Sequence, residues 1–438
     1  MKKSILFIIA LFASVSIFAK DRELLWPKNK MPYAQGHQIA AMTNEVQAKG
    51  FNPDKNRIAY IEWFEAPPKD KKQDACMVLI SGGSYESCCD VGLINQWKDI
   101  FTKMGIQCVN LVYRTPRPID MAIYQTAWAD GQRAIRMIRK QAKERGFNPE
   151  KIGVISMSAG SHLALLLGTS ALTPAYEHID ALDSIPCHIN WAIVNAPAYG
   201  TTDAEMGTPA TRQGYGPDVT LSKVFQFDQK TCPMSLHHGA MDIYAPQTST
   251  LVYRQLRRMK IPADLHLYPH KGHGAYGLER GIEFMRQMGF IDTLAKEEFI
   301  LDRYATDNTP CNYHKASIWP EGKTPDFQEK QNQPYIEWYI PKELKTKAIQ
   351  IIYAGGAYEY NLPEDHEVAP IRRYLNAKGM AVVVLKYRSP RPNPPLAKHT
   401  TAWQDLQRAI RIVRLEAESR GLDPNRIGIM GSSAGGHL

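Results

Sequence analysis

The sequence predicts an α/β fold: a mostly parallel sheet with helices on both faces, present once in full and again as the N-terminal half of a second copy. Three observations carry this. Short apolar runs suited to buried strands alternate with longer segments of helical period, the pattern of a parallel sheet covered on both sides. Segments of the first half return in the second at near-constant spacing. In both copies an apolar run passes through small residues around a serine into a helical segment.

Cys76–Ile80 and Gln107–Val112 are apolar runs of strand length. Ala127–Arg145 sets Ile135 and Ile138 among charges at helical spacing, and Gly146 stops it, with Asn148-Pro149 behind. Lys151–Ile155 predicts a strand and Ser161–Gly168 a buried helix. Further strands are expected at Ile189–Val194, Met234–His237 and Ala263–Tyr268, and helices at Leu251–Met259 and Leu278–Gly289.

The repeat sets the organisation. Ile61-Glu62-Trp63-Phe64 returns as Ile336-Glu337-Trp338-Tyr339, and Gly82-Gly83-Ser84-Tyr85 as Gly355-Gly356-Ala357-Tyr358. Tyr113 to Pro118 returns as Tyr387 to Pro392, and Trp128 with Asp130 as Trp403 with Asp405. The offsets are 275, 273, 274 and 275 residues, too regular for chance. Trp26 to Pro32 matches Trp319 to Pro325 at an offset of 293, so the first copy holds about 18 extra residues between Gln35 and Ile61. Leu438 is the equivalent of Leu163. Half a domain would leave open strand edges, so the sequence is expected to be a piece of a longer chain. The expected division is a leader at 1–19, a lead-in at 20–60, a complete domain at 61–290, a polar linker at 291–317 and an incomplete domain at 318–438.

Composition narrows the partners. The 438 residues are 44% hydrophobic and 22% charged, which supports a buried core and excludes a disordered tail. The net charge of +9 is diffuse, with its densest cluster, Lys69–Lys72, interrupted by Asp70. No recognition motif accompanies it, so a solvated basic surface is expected and no nucleic-acid partner. Lys2 and Lys3, the apolar stretch Ile5–Phe18 and Ala19 read as a secretory signal; the stretch is shorter than the ~20 residues of a spanning helix. A secreted or periplasmic protein, free of the membrane once the signal is removed, is the expectation. Seven cysteines leave at least one thiol free or paired outside the chain, and no pairing is assigned. No zinc-ligand spacing occurs, so no metal is expected.

The chemistry begins where strand Lys151–Ile155 runs into Ser156-Met157-Ser158-Ala159-Gly160 and then a helix. A serine on a sharp strand-to-helix turn stands clear of the sheet and faces the helix N-terminus, as in a nucleophile elbow. Its neighbours must be small because strand and helix lie close. The second copy spells the turn Gly431-Ser432-Ser433-Ala434-Gly435, while the first has Ser156 where glycine is expected. The blander alternative is an ordinary glycine-rich turn.

A serine needs a base, and the base an orienting acid. Two later strands are followed by His238-Gly239-Ala240-Met241-Asp242 and by Pro269-His270-Lys271-Gly272-His273-Gly274. Both loops leave strand C-terminal ends, where open α/β sheets place their sites. Asp242 is the expected acid. His273, between two glycines, is the expected base and His270 its rival; the blander reading of either is a surface loop residue. Gly82, Gly83 and Ala159 are the expected oxyanion donors, and Gly355, Gly356 and Ala434 their second-copy equivalents. Neither a phosphate-binding P-loop nor a dinucleotide GxGxxG is present, so no cofactor is expected.

With these residues the chain resembles the α/β-hydrolase superfamily and, within it, the acetyl-xylan-esterase-like carbohydrate esterases, exported modules of polysaccharide-degrading bacteria. The resemblance rests on Gly82-Gly83-Ser84-Tyr85, Tyr113-Arg114, the helix around Asp130, Ser158 to Leu163, Asp242 and His273-Gly274. It spans 61–290 and again 336–438, and departs from the pattern at Ser156 and in lacking a histidine before Gly82-Gly83. It implies an α/β-hydrolase fold and a serine ester hydrolase using Ser158, His273 and Asp242. The implied substrate is an acylated carbohydrate or small ester, with acetyl on plant polysaccharide the first candidate. Ser433 is the matching nucleophile, expected to be inactive because its acid and base would lie beyond Leu438. The rivals are a serine peptidase of the same fold and a carbohydrate-binding pseudo-hydrolase.

Other residues have structural expectations. Arg114 and Arg117 are candidates to contact substrate, though a buried arginine pinning a strand end is the favoured reading, and Trp128 and Asp130 read as packing and helix-anchoring residues. Cys88-Cys89 could form a vicinal disulfide. The Gly-, Pro- and Thr-rich segment Tyr199–Phe227 is expected to fold over the site. Tyr85, Tyr199, Tyr215 and Tyr276 are candidates to stack on a sugar ring.

Overall fold

The computed structural model describes residues 21–292 and 309–438 except 41–57, 69, 71, 89, 206–212, 217 and 363–366. The expected leader, Cys89, most of the linker and most of the extra residues of the first copy lie outside the described residues. The chain divides into two units, 1–293 and 294–438.

In the first unit the elements are β1 (Asp21–Leu24), β2 (Tyr60–Trp63), β3 (Cys76–Ile80), α1 (Val91–Lys103), β4 (Gln107–Val112), α2 (Gln125–Arg145), β5 (Ile152–Met157), α3 (Ala159–Thr169), β6 (Trp191–Asn195), β7 (Met234–Gly239), α4 (Gln247–Arg258), β8 (Ala263–Tyr268) and α5 (Leu278–Gln287). The sheet order is β1-β2-β4-β3-β5-β6-β7-β8, antiparallel at β1–β2 and β2–β4 and parallel beyond. Strand alternation serves two cores. Cys76, Val78 and Ile80 of β3 enter one, while Met77 and Leu79 enter the other. A strand buried on both faces reads as a continuous apolar run, which is why β3 and β4 were legible. Ile135 and Ile138 of α2, Leu163 of α3 and Leu256 of α4 pack on the first face; Trp97 of α1 and Met285 of α5 pack on the second. Gly146 ends α2 in the left-handed region at φ 73°, the stop expected of it.

Among these elements, β1, β2 and α1 were not anticipated. The four residues of β1 fall in the lead-in yet pair with β2, and Arg22 Nε donates to Glu62 at 2.9 Å across the pair. Their charged, mostly exposed side chains carry no strand alternation. Helix α1 did leave a signal: Asp90 accepts the Leu93 amide as an N-cap, and Ile94, Trp97 and Phe101 face inward at helical spacing.

The second unit contains β9 (Cys311–Ser317), β10 (Tyr335–Pro341), β11 (Ile349–Tyr353), α6 (Ala369–Ala377), β12 (Ala381–Lys386), α7 (Thr400–Glu416), β13 (Ile427–Gly431) and the short turn of helix α8 (Ala434–His437). Its sheet order, β13-β11-β12-β10-β9, matches β5-β3-β4-β2-β1 of the first unit. Strand β9 lies within the stretch expected to be linker; it is a largely exposed, polar edge strand, paired antiparallel to β10.

An anchor occurs in both units. Trp26 Nε1 donates to Asp130 at 2.7 Å, and Arg114 Nε reaches both oxygens of that carboxylate at 3.0 and 2.9 Å. Trp319, Arg388 and Asp405 repeat the arrangement at 2.8, 3.0 and 2.9 Å. Arg114 and Asp130 therefore tie the end of β4 to α2, as expected of them.

Candidate active site

Ser158 stands between β5 and α3 with φ 58° and ψ −126°, a strained conformation for a residue other than glycine. Its side chain makes no capping bond to α3, which leaves the hydroxyl available. The neighbours explain the need for small residues. A Cβ on Gly160 would stand 2.4 Å from the Ser81 carbonyl oxygen, and one on Gly82 2.7 Å from Ser158 Cβ. The second unit repeats this: Ser433 has φ 52° and ψ −117°, and a Cβ on Gly355 would stand 2.7 Å from Ser433 Cβ. Ser156, the departure from the expected glycine, is accommodated by a polar contact, its Oγ lying 3.0 Å from Ser161 Oγ. The corresponding residues of the second unit, Gly431 and Gly436, are both glycines.

The Gly82-Gly83 loop follows β3 and lies against Ser158. Gly83 has φ 125°, and Ser84 and Tyr85 follow at 56° and 59°. The Gly83 carbonyl accepts the Glu86 and Ser87 amides at 2.8 and 2.9 Å, closing a tight turn. Ala159 is the first residue of α3, so its amide has no intrahelical acceptor. The second unit has Gly356 at φ 96° and Ala434 at the start of α8.

Asp242 and His273 leave adjacent strands, β7 and β8, and meet. His273 Nδ1 lies 3.0 and 2.9 Å from the two Asp242 oxygens. Both are acceptors, so Nδ1 donates and Nε2 of the neutral ring is left as the basic nitrogen. His270 is exposed and makes no such pair. A second imidazole, His238, backs the acid: its Nε2 is 3.4 Å from Asp242 Oδ2 and 2.9 Å from the Tyr244 carbonyl, while Nδ1 lies 2.8 Å from Ser249 Oγ. Burial raises the Asp242 carboxyl, but hydrogen bonds from His238, His273 and the Tyr244 amide outweigh it, holding the group well below the usual carboxylate range.

Asn195, at the end of β6, was not singled out in the sequence. Its backbone carbonyl accepts the Ser158 amide at 3.0 Å and the Ser161 hydroxyl at 2.7 Å. Its side chain donates to the Ser156 carbonyl at 3.0 Å and accepts the Gly277 amide at 2.7 Å. It thus joins the serine turn to the loop that carries His273.

The tyrosines divide. Tyr85 is 1% exposed and its hydroxyl lies 2.8 Å from His162 Nδ1, so it is not available to stack on a sugar, a correction to the expectation. The Tyr199 hydroxyl is 3.4 Å from that of Tyr244, whose ring lies 5.1 Å from the His273 ring. Tyr215 is exposed, its hydroxyl 3.5 Å from the Asp242 carbonyl, and Tyr276 is half-buried against Tyr268. Of the segment expected to cover the site, Tyr199 and Phe225 pack against His162, while 206–212 and 217 lie outside the described residues. A separate open hollow of 760 Å³, lined by residues such as Tyr33, Arg136, His178 and Lys230, includes none of Ser158, Asp242 or His273. Among the described residues no cluster of His, Cys, Asp or Glu could hold a metal ion, and no helix is long and apolar enough to cross a membrane.

The model of the BD-FAE family matches residues 64–211 and again 336–438, more than half of the chain. The chain belongs to the BD-FAE family. Its members are α/β-hydrolase esterases, and the mostly parallel sheet flanked by helices is the α/β-hydrolase fold. The first BD-FAE match includes Gly82, Gly83, Ser158 and Ala159, and the second Gly355, Gly356, Ser433 and Ala434; Asp242 and His273 lie outside both. Over 267 residues, 58% of this chain, it is 26% identical to endo-1,4-beta-xylanase B of Butyrivibrio fibrisolvens. Over 100 residues, 23% of this chain, it is 36% identical to the acetylxylan esterase of Xylanibacter ruminicola. The aligned parts are 37% and 19% of those relatives, so the chain spans well under half of either. An acetyl ester-xyloside bifunctional hydrolase of Caldicellulosiruptor lactoaceticus superposes with a TM-score of 0.47 at 21% identity, over 62% of this chain and 97% of that one.

Proposed function

We propose that the first unit of this BD-FAE protein is an exported serine ester hydrolase that removes short acyl groups, acetyl first among them, from plant polysaccharide or oligosaccharide. The observation that carries the reading is the pairing of His273 Nδ1 with the Asp242 carboxylate in a unit where Ser158 holds a strained strand-to-helix turn. The names of the two curated relatives, a xylanase and an acetylxylan esterase, favour a xylan-type alcohol.

In this mechanism Ser158 Oγ attacks the ester carbonyl while His273 Nε2 takes its proton. The tetrahedral oxyanion faces the amides of Ala159 and of Gly83, with Gly82 beside it. Collapse breaks the bond to the alcohol oxygen, which receives the proton from His273, and leaves an acyl ester on Ser158. Water, deprotonated by His273, attacks that ester; the carboxylic acid departs and Ser158 recovers its proton. Asp242 holds the ring orientation and stabilises the imidazolium formed in both halves.

The test is the initial rate of the 438-residue chain on p-nitrophenyl acetate and on acetylated xylan, beside Ser158→Ala. Wild-type turnover with a loss of roughly three or more orders of magnitude in the variant is expected. A folded but inert wild type, or an active Ser158→Ala, sinks the proposal. A serine-reactive phosphonate should label Ser158.

A further inference from the structure

His162 lies on the first turn of α3, four residues after Ser158, and its amide donates to the Ser158 carbonyl at 3.1 Å. It is fully buried, ringed by Tyr85, Tyr124, Tyr199 and Phe225 with centroids 5.3 to 6.3 Å away. A buried imidazole in such a place needs a reason. One nitrogen, Nδ1, lies 2.8 Å from the Tyr85 hydroxyl, and the other, Nε2, has no hydrogen-bond partner among the described residues. The proton arrangement follows by counting. If Tyr85 donates to Nδ1, only the Nε2–H is left over. If Nδ1 donated instead, both the Tyr85 proton and the Nε2 lone pair would be stranded.

Tyr85 is the last of three successive residues held at positive φ, Gly83 at 125°, Ser84 at 56° and Tyr85 at 59°. Two of them are not glycine, and such residues keep this strained conformation only where their surroundings impose it. On the side of the nucleophile helix, Tyr85 is held by its bond to His162. The same device stands in the second unit: the Tyr358 hydroxyl is 2.8 Å from His437 Nδ1, with Ala357 and Tyr358 at φ 52° and 63°.

We propose that His162 is a positioning residue for the ester hydrolysis: through its bond to Tyr85 it fixes the Gly82-Gly83 loop against the nucleophile helix, so that the oxyanion donors stand ready before the substrate arrives. It touches neither substrate nor reacting atoms. The inference rests on the serine-hydrolase reading of Ser158. Burial also lowers the His162 pKa to about 3, which keeps the ring neutral and Nδ1 an acceptor in ordinary working conditions.

The test compares the full chain with His162→Phe, His162→Asn and Tyr85→Phe on p-nitrophenyl acetate, with thermal unfolding beside each rate. Asparagine places an oxygen where Nδ1 stood, whereas phenylalanine keeps the bulk and loses the acceptor. His162→Phe and Tyr85→Phe should each lower kcat roughly 10–100-fold with KM little changed, below the full cost of an oxyanion donor. Asparagine should restore most of kcat, and the double variant His162→Phe with Tyr85→Phe should be no worse than either single one. Tyr85→Phe removes a single oxygen and keeps the test alive if His162→Phe fails to fold. A folded variant with wild-type kcat, a loss that asparagine does not restore, or additive losses would overturn the inference while leaving the esterase reading intact. An inert wild type overturns both.

Discussion

Asn195 Oδ1 accepts the Gly277 amide at 2.7 Å across 82 residues of chain. The same side chain donates to the Ser156 carbonyl, so one buried amide spans the turn bearing Ser158 and the loop after His273. Asn195→Ala strands two buried backbone groups, each costing about 1–3 kcal/mol. We expect a drop in kcat of tenfold or more with KM little altered, read from initial rates at matched folded fraction. Unchanged kcat in a folded variant would show that the two loops hold their register without it.

Gly82 has no room for a side chain. An added Cβ would meet Ser158 Cβ at 2.7 Å and the Met157 carbonyl oxygen at 2.9 Å, neither of which is a flexible end. Gly82→Ala is therefore expected to displace the nucleophile or the oxyanion loop and to cost roughly 100-fold or more in kcat, on the scale of a lost oxyanion donor. Steady-state rates near wild type would mean that the loop does not serve the reaction.

The Arg114–Asp130 pair is buried, and removing one partner leaves an uncompensated charge. Asp130→Ala should lower the unfolding free energy of the first unit by about 3–5 kcal/mol. Trp26 Nε1 loses its acceptor as well. Urea unfolding followed by fluorescence checks this, and a shift under 1 kcal/mol would contradict it.

Acid should destabilise the first unit well before its carboxylates titrate. Burial holds His162 near 3, and burial with the charge of His266 does the same to His237, against 6.5 for a free imidazole. Between those values the unfolded chain binds protons that the folded chain refuses. Stability is therefore complete above about pH 6.5 and declines as pH falls towards 3. Asp242, held below the usual carboxylate range, adds a further loss at the acid end. Thermal midpoints measured from pH 7 to 4 should fall in the wild type and fall less steeply in His237→Gln. A flat wild-type profile would sink the prediction.

The strands beside the nucleophile were legible because burial on both faces makes them near-continuous apolar runs: β3 and β4 match the expected residues. β1 and β9 were not, because edge strands with exposed polar side chains carry no period. The serine turn was legible because its steric demand leaves small residues in a row, at Ser156–Gly160 and again at Gly431–Gly435.

The sequence by itself determined the alternation of strands and helices, the placing of Ser158 at a strand-to-helix turn, and Asp242 and His273 in loops after later strands. Tertiary structure decided the partners. It set His273 rather than His270 against Asp242, put His238 behind that carboxylate, turned Tyr85 inward to His162 and made Asn195 a bridge. The physical reason is that these contacts depend on the strand order β3-β5-β6-β7-β8 and on where parallel strands end. Local pattern records whether a side chain is buried; only the sheet brings residues 31, 77 or 82 positions apart within hydrogen-bond distance.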